Sequence, residues 1–133
     1  MLNVDVNWWA LLAAAGFNMV LGALWYAPAV FGKTWMKLTG RKMGQGSAVN
    51  GYVITAAGAL VQAWILVHFV RYAGALTAVK GAVVGFWLWL AFVATVMATN
   101  LVFEGRPWKL WAINSGYFLV ALIVNGAILA AWR

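Results

Sequence analysis

The 133-residue chain has no cysteine, two prolines, one histidine and only two acidic residues. Without cysteine there is no disulfide framework, thiol nucleophile or thiolate metal site. One histidine and two acids, Asp5 and Glu104, supply no metal-plus-base or nucleophile-plus-base set, so no enzyme activity is expected and no cofactor is implied. Charge of either sign is scarce, at 8% of residues against roughly 25% in an ordinary soluble domain. A short soluble chain exposes a large share of its residues and needs charge to cover them. These shortages exclude a soluble enzyme, a secreted domain and a disordered tail.

What the chain has instead is hydrophobic residues, 66% of the total. Four stretches carry no charge at all: residues 6–32, 43–70, 81–103 and 110–132. Each exceeds the roughly 20 residues that cross a bilayer as a helix. The spacing predicts an all-α, polytopic membrane protein, one four-helix transmembrane domain over residues 1–133, with spans at about 6–27, 50–70, 81–103 and 110–132. Trp8 and Trp9 open the first span, and Trp25 and Tyr26 close it, as in an aromatic belt at the two head-group layers. Pro28 ends that span, because the residue before a proline is pushed out of the helical region. Val30 to Leu38 mixes Phe31, Trp35 and Leu38 with Lys33 and Lys37, the pattern of a short interfacial helix. Met1 to Asp5 carry no Lys or Arg, so the first span reads as a retained helix and not as a signal peptide.

The net charge of +7 would point to nucleic acid on a soluble surface. Here it lies between hydrophobic spans, where Lys and Arg set topology and meet anionic lipid head groups. The expected partner is therefore the bilayer, with no nucleic acid. Lys33, Lys37, Arg41, Lys42, Arg106 and Lys109 share one side; Arg71, Lys80 and Arg133 share the other. That asymmetry predicts both termini outside and both richly basic loops in the cytoplasm.

Gly32-Lys33-Thr34-Trp35 and Gly105-Arg106-Pro107-Trp108 read as one pattern, hinting at two similar helix pairs. Coincidence at the interface is the alternative. Gly81 and Gly85, and the stripe Gly51, Thr55, Ala59 and Ala63, allow close helix approach, either within the bundle or at a dimer seam.

No acid or base lies deep in a span, which disfavours a proton relay or an exporter of cationic drugs. The polar residues there are neutral: Asn18, Thr55, Gln62, Thr95, Thr99, Asn100, Asn114, Ser115 and Asn125. Asn114 and Asn125 fall on one helix face, and so do Asn18, Gly22 and Trp25. Such groups serve interhelical hydrogen bonding or line a polar pocket. Trp64, Trp87 and Trp89 lie deep enough to line an aromatic pocket or merely face lipid. His68 serves as a one-sided ligand to haem or a chlorin or, more simply, as an interfacial hydrogen-bonding group.

The strings GALWYAP-x-x-FGKTWMKL (Gly22 to Leu38) and FEGRPWKLWAIN (Phe103 to Asn114), with the four-span layout, resemble an uncharacterised family of small bacterial membrane proteins. The resemblance implies a bacterial inner-membrane protein of four helices and brings no functional residues with it. Convergence of the two strings predicts a candidate ligand or inter-helix polar site from Asn18, Trp25, Tyr26, Asn100, Glu104, Arg106, Trp108 and Asn114. Glu104 is expected to bridge to Lys33, Lys37 or Arg41, with Arg106 as the local alternative. The function expected is binding or permeation of a small molecule by a homo-oligomer; the alternative is an accessory or structural subunit of a larger membrane complex.

Overall fold

A computed structural model describes residues 4–41 and 48–133, and all regular structure among them is helical. Six helices follow in order: α1 (Trp8–Trp25), α2 (Lys33–Thr39), α3 (Ala48–Tyr72), α4 (Ala78–Trp89), α5 (Thr95–Glu104) and α6 (Trp108–Ala131). A π-helical turn, Pro28–Gly32, leads into α2, and another, Leu90–Ala94, joins α4 to α5. Trp8–Trp25, Asn50–Tyr72, Ala78–Glu104 and Trp108–Ala131 are each long and apolar enough to cross a membrane. The chain is a multi-pass membrane protein with an all-α bundle.

Each span begins and ends where local chemistry directs it. Asn7 caps α1, its Oδ1 accepting from the amides of Trp9 and Ala10. Thr77 caps α4 through its hydroxyl and the amide of Lys80, so the third span starts before the lysine that bounded it in the charge pattern. Gly105 ends α5 at φ 67°, a conformation that a residue with a Cβ adopts only under strain. Pro107 then opens α6 with its φ already set near the helical value.

The spans alternate up and down, and α6 is the hub. Its most apolar window is 39% buried, against 17% for the third span, so α6 is the more enclosed of the two. The tightest contact is α4 on α6. A Cβ on Gly81 would run into the carbonyl of Gly126, and one on Gly85 into the carbonyl of Leu122. The G-x-x-x-G thus serves packing inside the bundle. In the other stripe Ala59 and Ala63 are buried while Gly51 and Thr55 are exposed. Ala10, Leu11 and Ala14 of α1 meet Ala63, Leu66, Val67 and Val70 of α3 and Leu129 and Ala130 of α6 in the main core. In lipid this contact gains little from hydrophobic transfer and depends on fit between small residues.

The two Gly-cation-x-Trp segments differ in structure. Gly32 is right-handed helical at φ −60°, inside the turn that enters α2, whereas Gly105 is a left-handed helix end. They are not two copies of one device.

Candidate functional site

One end of the bundle, here the motif end, carries the Pro28–Arg41 segment and the turn from α5 to α6. The two sequence strings meet there. Pro28 fixes a break after α1, and the π-helical turn folds α2 back under it, with the Gly32 amide donating to the Ala27 carbonyl at 2.9 Å. A Cβ on Gly32 would strike the Tyr26 carbonyl oxygen, so this fold-back depends on glycine. It lays Phe31 on Trp25, ring centroids 4.8 Å apart, and sets Trp35 edge-on to Tyr26 at 6.2 Å.

These rings steer the polar ends of Trp25 and Tyr26 onto α6. The Trp25 indole donates to the Ile113 carbonyl at 2.8 Å, and the Tyr26 hydroxyl donates to Asn114 Oδ1 at 2.8 Å. Gly116 makes room: the Trp25 ring lies 3.2 Å from where its Cβ would be. One layer deeper, the Tyr117 hydroxyl donates to the Asn18 carbonyl at 2.8 Å. Asn125 Nδ2 donates to Asn18 Oδ1 at 2.7 Å, and both asparagines are buried. Asn125 Oδ1 is enclosed and has no partner among the described residues. Asn114 and Asn125 do share the face of α6 turned to α1, as their spacing predicts.

Of the eight candidate residues, the structure unites Asn18, Trp25, Tyr26 and Asn114. Arg106 stands at the rim, its Nη1 donating to the Thr39 carbonyl across 3.5 Å. Asn100, Glu104 and Trp108 are exposed and stand apart. Glu104 makes no ion pair among the described residues, so the expected bridge to Lys33, Lys37 or Arg41 is not formed. Arg106 links the two loops in its place, while Glu104 stays exposed at the end of α5. Lys42 lies outside the described residues.

Tyr117 and Asn125 join the cluster from beyond the candidate set, and Ser115 and Trp89 form a second contact. The Trp89 indole donates to the Ser115 carbonyl at 2.8 Å, and the Trp111 indole to the Ala94 carbonyl at 3.0 Å. The latter carbonyl ends the π-helical turn, where the regular backbone ladder is interrupted. Trp64 and Trp87 point outward. His68 sits at 2.7 Å through Nδ1 from the Trp64 carbonyl, its ring 4.5 Å from that of Trp64. The hydroxyls of Thr55, Thr95, Thr99 and Ser115 each donate to the carbonyl four residues back, so they satisfy themselves within their own helices.

A groove of about 460 Å³ opens between α3, the third span and α6. Ile65, Phe69, Phe92, Met97 and Phe118 are among its walls, and Gln62 is the one polar side chain there.

A model of a protein family of unknown function (DUF1761) matches residues 9–130. The chain belongs to this family. Both strings of the motif end lie within the matched residues, and so does the groove. No curated protein and no solved structure matches the chain.

Proposed function

We propose that this member of the family is a bacterial inner-membrane protein, both termini outside, that binds a small apolar molecule as a homo-oligomer. The observation that carries the reading is the groove between the second and third spans. Its volume falls within the roughly 300–1,000 Å³ of small-ligand sites, and its walls are apolar with a single amide, that of Gln62. That chemistry suits an apolar body bearing one hydrogen-bonding group. Binding has more support than permeation, because Tyr26 bonds to Asn114 and Asn125 to Asn18 across the interface with α6.

The oligomer has a separate support. Asn100 lies exposed on α5 with no hydrogen-bond partner among the described residues. Hydrocarbon offers an amide nothing, whereas a second copy offers a matching amide with both donor and acceptor. Native mass spectrometry from a mild detergent tests both parts. The expected spectrum is a multimer of the 14.5 kDa chain retaining a bound apolar molecule. A bare monomer, or one carrying only bulk phospholipid, refutes the reading.

A further inference from the structure

The opposite end of the bundle holds a second cavity, of about 590 Å³, lined by Val4, Asp5, Val6, Asn7, Arg71 and Arg133. Arg71 lies in the last turn of α3 and Arg133 follows α6, so the fold brings to one place two guanidinium groups 62 positions apart. Their bonding is incomplete. Arg133 donates through Nη2 to the Ala75 carbonyl at 3.1 Å and through Nε to the Ala130 carbonyl at 3.4 Å, which fixes its plane. Arg71 Nη1 is enclosed by protein and has no hydrogen-bond partner among the described residues. Asp5, the one carboxylate among the lining side chains, forms no ion pair with either arginine. Asn7 spends its Oδ1 on the α1 cap, leaving only the amide nitrogen to donate. Among the lining side chains donors therefore outnumber acceptors, with two arginines against one aspartate.

We propose that this cavity binds a phosphate-type oxyanion, held between Arg71 and Arg133. Guanidinium groups match phosphate oxygens in pairs. A lipid head group and a free phosphate share this chemistry. Asp5 lowers the affinity and favours a singly charged anion over a doubly charged one. The site is separate from the basic loops of the motif end.

The test uses the full chain in mild detergent. One arm titrates inorganic phosphate against chloride at equal ionic strength and reads thermal unfolding. The other reads retention of phosphatidylglycerol over phosphatidylcholine by native mass spectrometry. A response to phosphate assigns a free anion, and a response to phosphatidylglycerol alone assigns a lipid head group. In either case Arg71→Gln and Arg133→Gln should each weaken binding about tenfold, the size of one lost charged hydrogen bond. Asp5→Asn should tighten it roughly two- to fivefold by removing a like charge. Because Asp5→Asn removes no hydrogen bond of the fold, it keeps the test decisive if an arginine variant fails to fold. Absence of binding in both arms, equal binding by the Gln variants, or unchanged or weaker binding by Asp5→Asn overturns the proposal.

Discussion

Asn18 and Asn125 are 107 positions apart and form the one side-chain amide pair buried between spans among the described residues. Interhelical hydrogen bonds in membranes average only about 0.6 kcal/mol, yet removing one partner strands the other in a dry interior. Asn18→Ala and Asn125→Ala should therefore each lower stability by about 1–3 kcal/mol, and the double variant should lose less than their sum. Reversible unfolding in mixed micelles measures this, and simple additivity would show that the amides do not act as a pair. Sequence pattern identified these asparagines as polar groups within spans but not as partners. The pairing depends on α1 lying antiparallel to α6, which no local feature of either segment encodes. The threonines illustrate the same limit: Thr95 and Thr99 look like interhelical donors, yet their hydroxyls turn back on their own helix.

Among the elements, the third span is the irregular one. Nothing in Leu90–Ala94, which holds neither glycine nor proline, marks a π-helical turn, and so the break was not legible in the sequence. Its α4 half is pressed against α6 through Gly81 and Gly85, while the α5 half leaves Val96, Asn100 and Phe103 exposed. Gly85→Ala should cost about 1–3 kcal/mol by forcing α4 away from the Leu122 carbonyl, with the oligomeric state unchanged. Unfolding midpoints and native masses of this variant check both halves of the expectation. Dissociation of an oligomer without loss of chain stability would instead place that glycine at a seam between copies. The spans themselves were legible to within a few residues, because charge-free length is what a bilayer demands. The ends moved where caps outweighed charge, as Thr77 did by drawing Lys80 into the first turn of α4.

At the scale of the whole molecule, the sequence layout and the packing agree on which loops share an end. Cysteines introduced at Gly46 and Leu76 should label from opposite sides of intact cells, Gly46 from the cytoplasm, as the uneven division of Lys and Arg requires. Labelling of Gly46 from outside reverses the orientation. Convergence of the motif strings was also legible in outline, through Trp25, Tyr26 and Asn114. The groove was not, since only the splay of the second span from the third creates it. On the proposed reading the two carry different duties: the cluster at the motif end locks α1 and α2 to α6, and the groove receives a ligand. Val93 also lines the groove, and paired measurement of unfolding and of ligand retention by native mass spectrometry, on Asn114→Ala and on the groove-filling Val93→Phe, tests that division most directly. The account predicts a crossed result, with Asn114→Ala less stable but still loaded and Val93→Phe stable but empty. An Asn114→Ala protein that is stable and empty, beside a Val93→Phe protein that stays loaded, would contradict it and place the ligand at the motif end.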